Sequence, residues 1–422
     1  MKEKFLKIFI ILLPLGFLLS IFLTNFNEPF RTVDEDNGYL FGGVARSHLL
    51  LGLQKTYGQD FFYEGLGKEP IPYLHHPPGV GISLAIILKF LNFGDLDKPF
   101  WQERILPTFY HLGSYFLFFF LSLSFFKSLK AAFISLLIFV LVPMSLYYGR
   151  MVSHEPPTLF FLLLTTFLYL KYVEKKKNLF KYGFFLSLFF SCFYGWPGFY
   201  FIPVVLFLNF IDFRKKRFKT DHFFWQLIFF EVLLLLIFFG QIFVANKFSF
   251  QPTIDLIKQK NALPYEGGIP YFKLPWLFLL LRRFISFFTP IVAIPGGIYL
   301  LYLTGRFFKE KTADKMFLWQ KTSLIFTFIS LIHVFVWRCG SNLPYWQIYF
   351  LPALVFTATY IFLSGEKLIR KIFPPKIFLS PLVLMYYLFI FYNLIKESQP
   401  IVWELYTKGG TFSFPHFFVQ GF

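Results

Sequence analysis

Residues 5–24 read FLKIFIILLPLGFLLSIFLT, an apolar run broken by a single lysine, with Lys2, Lys4 and Lys7 gathered around its start. Lysines ahead of an apolar run also mark a secretory leader, but a leader has a shorter apolar stretch and a small-residue cleavage site. Here the run is as long as a bilayer core is thick, and no such site follows it. The expectation is an uncleaved first membrane span. Further runs of this kind lie near 106–126, 131–149, 157–171, 182–194, 198–211, 223–243, 284–304, 318–336, 346–363 and 376–395, which predicts about 11 transmembrane helices. Composition agrees: of 422 residues, 56% are hydrophobic and only 15% charged, against about 25% charged in a typical soluble domain. A net charge of +18 raises nucleic-acid binding as a function, yet that needs a basic stripe on one water-facing surface. Here the basic residues punctuate the apolar runs instead.

The punctuation has a side. The segments 1–7, 127–130, 171–181, 212–222, 305–321 and 364–376 hold 24 of the 41 lysines and arginines in about 63 residues. These are the cytoplasmic loops by the positive-inside rule, which puts the N-terminus in the cytoplasm. The two shortest runs flank Gly195-Trp196-Pro197-Gly198 and read as a helical hairpin. Among carboxylates only Glu231 falls in mid-span. The whole of 1–422 reads as one polytopic membrane domain with two large extracytoplasmic segments, 25–105 and 244–283. Long loops are usually functional. Gly79–Phe93 is apolar but too short to span, so it is expected to lie as an interfacial helix on the membrane, as are Pro252–Lys260 and Tyr271–Leu281.

Candidate chemistry collects in these outer segments. Asp34, Glu35 and Asp36 stand about ten residues beyond the first span. Three successive carboxylates repel one another, which raises the affinity of one for a proton and suits a general base; a hydrated acidic loop is the plainer reading. His75 and His76 precede Pro77 and Pro78, which start a helix well. The short loop Arg150-Met151-Val152-Ser153-His154-Glu155 holds two charges close to the hydrocarbon, where they must pair or face a polar site. Glu155 is also well placed to complement a helix N-terminus. Arg104, Arg282, Arg283 and Arg338 lie near the outer ends of spans, as snorkelling anchors or as bidentate phosphate ligands. Trp196, Trp276, Trp337, Tyr345 and Trp346 fit an interfacial aromatic belt, and His111 and His333 read as packed inside spans. Cys192 and Cys339 are too few for a disulfide framework or a tetrathiolate zinc site, though one bridge between them is sterically conceivable.

The order of these pieces resembles the GT-C membrane glycosyltransferases of the protein O-mannosyltransferase and aminoarabinose-transferase type, family 39. The matching residues are Glu35-Asp36-Asn37-Gly38 with Ala45-Arg46, His75-His76-Pro77-Pro78, Glu103-Arg104, Gly149-Arg150-Met151-Val152-Ser153-His154-Glu155-Pro156, and Gly195-Trp196-Pro197-Gly198. They cover residues 1 to about 210. The resemblance implies an all-α integral membrane fold, a GT-C-type bundle whose large first extracytoplasmic loop carries interfacial helices. It also implies a transferase that moves a sugar from a polyprenyl-phosphate donor to a glycan, lipid or protein acceptor of the envelope, inverting the anomeric carbon.

The implied base is Asp36 or Asp34, in a catalytic cluster with Glu35. Arg104, Arg150, Arg282 and Arg283 are expected at the donor phosphate. His75, His76, His154, Glu155 and Trp196 are expected to line the acceptor and donor site. The resemblance fixes no cofactor. A divalent metal is optional in the superfamily, with His75, His76, His154, Glu155 and the acidic cluster as its candidate ligands. The rival class is a polytopic transporter or a flippase of lipid-linked glycans, which generally shows broken helices and ionisable groups near the midplane.

Overall fold

A computed structural model describes residues 2–30, 36–62, 71–73, 76–91, 101–213, 222–262, 273–309, 316–336, 344–373 and 379–407. Asp34, Glu35, His75, Trp337, Arg338 and Cys339 lie outside the described residues, as does the side chain of Asp36. Helix dominates the described part. After α1 (Lys2–Phe22), the first long loop folds as α2 (Asp36–Leu51), α3 (Leu53–Thr56), a two-residue antiparallel ladder of β1 (Phe61–Phe62) with β2 (Ile71–Pro72), and α4 (Gly79–Phe90). The bundle continues through α5 (Trp101–Phe126), α6 (Leu129–Leu141), α7 (Pro143–Tyr148), α8 (Glu155–Lys175), α9 (Asn178–Tyr194), α10 (Pro197–Phe213) and α11 (His222–Ala245). The second long loop supplies α12 (Gln251–Ala262) and α13 (Leu274–Phe288), and α14 (Pro290–Lys309), α15 (Leu318–Val336), a 3-10 turn (Pro344–Phe350), α16 (Leu351–Ile372) and α17 (Leu379–Thr407) complete the chain.

The protein is an integral membrane protein. Among the described residues, six helical stretches are long and apolar enough to cross a bilayer, with four shorter apolar helices beside them. The expected count of 11 is not reached by that measure, and the backbone explains several differences. The run 131–149 is broken because Val142 is extended and Pro143, which has no N–H to donate, starts a new helix. The run 284–304 starts later than expected: Thr289 takes φ of 62° and Pro290 opens α14. The hairpin expected at 182–211 is present as α9 and α10.

Tertiary hydrogen bonds mend these breaks. Ser398 of α17 donates to Leu141 O at 2.6 Å, a carbonyl at the end of α6. Glu397 accepts from Ile291 N at 3.4 Å, at the start of α14. At the other end of the bundle, Glu366 of α16 accepts from Tyr387 Oη at 2.6 Å, from Arg370 Nε at 2.9 Å and from Lys130, knotting α6, α16 and α17 together. The interior between these points is filled by face-to-face phenylalanines such as Phe118 on Phe356, 4.6 Å apart. Large apolar side chains also cover the outside, Phe229, Leu236 and Leu301 among them, as lipid-facing helices require.

Two buried contacts hold the first long loop together. Within the loop, His48 lies between Thr56 Oγ1 at 3.2 Å and Asp60 Oδ1 at 2.9 Å, and burial pushes the Asp60 carboxyl up from its ordinary range. Gly81 of α4 rests directly on Asp60, since a Cβ there would stand 2.3 Å from Oδ1.

The α9–α10 hairpin is held as tightly by Gly198. A Cβ at that position would lie 2.4 Å from Cys192 N and 2.5 Å from Ser191 C, both backbone atoms that cannot rotate away. Gly198→Ala is therefore expected to cost about 1–3 kcal/mol or more by overpacking, read as a lowered melting temperature in detergent. An unchanged melting temperature would mean that the two helices separate at little cost.

Candidate active site

The site grows from the loop that leads into α8. Pro156 and Pro157 occupy the first turn of that helix, where a missing N–H costs nothing, and the Glu155 N–H turns back to Ser153 Oγ at 3.4 Å. Glu155 is thereby fixed, fully buried, at the helix N-terminus. Its Oε1 is 2.8 Å from His154 Nε2, yet the two are not aligned for a hydrogen bond, and Oε2 has no hydrogen-bond partner. A buried polar atom left so costs about 1–3 kcal/mol, so Glu155 is held here against its own solvation preference.

Side chains from distant parts of the chain meet around it. The His76 ring lies 3.8 Å from that of His154, and Phe41 of α2 stands edge-on to His154 at 6.3 Å. Tyr73 packs on His76 at 6.0 Å. Burial, then the charges of Asp60 and Glu155, push the Tyr73 hydroxyl pKa upward. On the other side, Trp346 of the 3-10 turn approaches His76 at 6.3 Å and stacks on His333 of α15 at 4.1 Å. Tyr349 stands edge-on to His333 at 5.3 Å, and Tyr200 of α10 lies 6.0 Å from it. The hairpin reaches the same place: a Cβ on Gly195 would stand 2.5 Å from Thr158 Oγ1, one turn along α8 from Glu155.

The structure thus brings His76, His154 and Glu155 together, with Gly195 at their edge. It places Asp36 at the start of α2, whose next residue donates from Asn37 Nδ2 to Met151 Sδ at 3.7 Å. Trp196 packs instead on Phe199 and Phe238. Cys192 is buried in α9. His111 is packed, with Nε2 3.0 Å from Ser145 Oγ. His333 and Trp346 are the residues sequence reading missed: each looked like ordinary packing or an interfacial belt, and no local motif joins them.

The arginines divide. Arg104 is buried and donates from Nη1 to Phe26 O at 2.9 Å and Glu28 O at 2.6 Å, with its guanidinium over the Phe30 ring at 4.4 Å. Arg150 donates from Nη1 to Phe22 O at 3.1 Å and Thr24 O at 2.5 Å. Both therefore bind the turn after α1, where helix carbonyls point outward and favour cations. Glu103 beside them pairs with Arg46 at 2.8 Å. Arg282 and Arg283 lie on α13, which packs on the 3-10 turn through Phe284 and Phe350, 5.4 Å apart.

Among the described residues no three His, Cys, Asp or Glu side chains gather as a metal site.

This bundle, with its loop helices packed over one end, is the GT-C fold. No family model matches the chain, and no curated protein is similar to it in sequence; the likeness is carried by solved structures. ArnT from Cupriavidus metallidurans bound to undecaprenyl phosphate is 12% identical with a TM-score of 0.56, over 94% of this chain and 75% of that one. Archaeal oligosaccharyltransferase AglB from Archaeoglobus fulgidus, in complex with an inhibitory peptide and a dolichol-phosphate, is 12% identical with a TM-score of 0.61, over 95% and 56%. An oligosaccharyltransferase from Archaeoglobus fulgidus, in complex with Zn and sulfate, is 15% identical with a TM-score of 0.50, over 87% and 49%. The chain spans about half the length of these last two.

Proposed function

We propose that the protein is a glycosyltransferase that moves a hexosyl or pentosyl unit from a polyprenyl-phosphate donor to an envelope acceptor. In this reading it works at the outer face of the cytoplasmic membrane. The observation that carries the reading is the meeting of three separate segments, those of Asn37–Phe41, His76 and His154–Glu155, at one end of a fold shared with proteins solved with polyprenyl or dolichol phosphates.

The chemistry asks for little else. A carboxylate, Asp36 with Asp34 as the alternative, takes the proton of an acceptor hydroxyl or amine. The acceptor atom bonds to the anomeric carbon from the face opposite the leaving group, and the C–O bond to the phosphate breaks with its electron pair leaving on the lipid phosphate. Positive charge stabilises that departing group, for which Arg282 and Arg283 are proposed. Glu155, with His154, orients the reacting groups. The two flanking carboxylates of a glycosidase are not needed, because no leaving-group oxygen requires protonation.

The test reconstitutes the protein in lipid with a panel of radiolabelled polyprenyl-phosphate sugars and an envelope extract, and follows release of free polyprenyl phosphate. Extract-dependent release is expected. Glu155→Gln, which keeps the shape and removes the charge, is expected to lower turnover by about 10²-fold or more. Transport or flipping of a lipid-linked substrate without release from any donor would instead establish the rival class.

A further inference from the structure

The first long loop has an apolar core of its own, with Phe41, Ala45, Tyr73, Val80 and Leu84 among its members, and it also buries four polar side chains. Thr56, Gln59 and Asp60 are closed off from solvent, and His48 nearly so. His48 bridges two of them, with Nε2 2.9 Å from Asp60 Oδ1 and Nδ1 3.2 Å from Thr56 Oγ1. Residues 59 and 60 pass this anchorage on. Asp60 O accepts from Tyr73 N at 2.7 Å, and Gln59 Nε2 donates to Tyr73 O at 2.6 Å. Both backbone polar groups of Tyr73 are therefore held by the pair of residues that His48 pins. Gly81 closes the knot from α4, since a Cβ there would stand 2.3 Å from Asp60 Oδ1 and 2.6 Å from Val44 Cγ1 of α2.

The knot joins two segments that both reach the candidate site. Tyr73 packs on His76 at 6.0 Å and meets Phe41 edge-on at 6.2 Å, and the charges of Asp60 and Glu155 both act on its hydroxyl. His48 and Asp36 stand on one helix, α2, twelve residues apart, or ~18 Å at 1.5 Å per residue. A tilt of about 3° at one end therefore moves the other by ~1 Å, and a misplacement of that size costs a reaction about 10²-fold. Stability alone does not call for such a pair. Well-packed apolar residues in place of a buried ion pair are often as stable or more so, and the loop already has its apolar core. A hydrogen-bonded pair adds direction, because it accepts a narrow range of distance and angle where apolar contacts slide.

We propose that His48 and Asp60 are positioning residues for the transfer reaction. Their pair sets α2, which carries the proposed base, against the segment of Tyr73 and His76, and so against His154 and Glu155. This rests on the transferase reading. Neither residue touches the substrate; both act through Tyr73 and α2.

The test uses the full chain and reads turnover as release of free polyprenyl phosphate at saturating donor, below the melting transition of every variant compared. His48→Phe, which keeps a ring and removes both nitrogens, is expected to lower turnover at least tenfold. The half-saturating donor concentration is expected to stay within about threefold, because the donor phosphate is assigned to α13 and not to α2. His48→Gln, whose amide nitrogen reaches where Nε2 stood, is expected to recover at least threefold of the loss. His48→Leu combined with Asp60→Leu replaces the whole pair by apolar side chains, so it is expected to melt close to the wild type and still turn over at least tenfold more slowly. It also stands in should His48→Phe alone fail to fold. A double variant that regains turnover along with its melting temperature overturns the proposal, since the pair then serves stability alone, and so does a His48→Phe that turns over within about threefold of the wild type. Hydrogen exchange followed by mass spectrometry needs no donor. Exchange in the variants is expected to quicken at least tenfold in α2, β2 and Tyr73 while α8 and α16 keep their protection; an unchanged or uniform pattern overturns the proposal. If the wild type releases nothing from any donor, the transferase reading fails, and exchange confined to those segments still leaves His48 and Asp60 as the link between them.

Discussion

Asp36→Asn is expected to leave the protein folded and able to hold its donor while lowering turnover by about 10²–10⁴-fold, the usual contribution of a general base. The separation of activity from stability follows from where the residue sits. Asp36 opens α2, and asparagine serves the start of a helix about as well as aspartate, so the substitution keeps the local backbone and removes only the basic carboxylate. The helix itself is anchored over the site by Asn37 on Met151, 3.7 Å apart, and by Phe41 beside His154 at 6.3 Å. Release of polyprenyl phosphate at saturating donor, with donor affinity measured in parallel, checks the expectation. Asp34→Asn is expected to be milder. If Asp34→Asn is inactive and Asp36→Asn turns over like the wild type, the base is Asp34; if both stay active, the acidic cluster is only a hydrated loop.

What the sequence made legible was whatever repeats locally. Apolar runs and the charge bias between them mark the membrane bundle, Gly195 to Gly198 marks the hairpin, and Pro77-Pro78 and Pro156-Pro157 mark the starts of α4 and α8. Hydropathy is blind to backbone conformation, so the break at Val142-Pro143 and the positive φ of Thr289 were absorbed into longer spans. Single residues that meet only through packing left no pattern at all. His333 and Trp346 sit on different elements and touch at 4.1 Å, and neither position differs locally from an ordinary lipid-buried histidine or an interfacial tryptophan. The arginines are ambiguous in sequence for another reason: a carbonyl oxygen and a phosphate oxygen ask for the same guanidinium, and only the fold decides which one is near.

That ambiguity yields the second large effect. Arg104→Ala and Arg150→Ala are each expected to lower stability by about 2–5 kcal/mol, because each gives up two hydrogen bonds to carbonyls of the turn after α1, at about 1–3 kcal/mol for a bond to a charged group. The consequence reaches the site through packing. Arg104 lies over Phe30, and Phe30 is pressed against Gly38, where a Cβ would stand 2.2 Å from the ring; Gly38 is two residues from Asp36. Loss of the guanidinium therefore loosens the start of α2, so turnover is expected to fall together with the melting temperature, while the donor concentration at half-maximal rate stays within about threefold. Because the two arginines grip adjacent carbonyls of one turn, the double variant is expected to lose less than the sum of the single ones. A phosphate ligand behaves otherwise: if Arg104→Ala keeps its melting temperature and raises the half-saturating donor concentration tenfold or more, its guanidinium leaves the carbonyls of Phe26 and Glu28 for the donor phosphate during turnover.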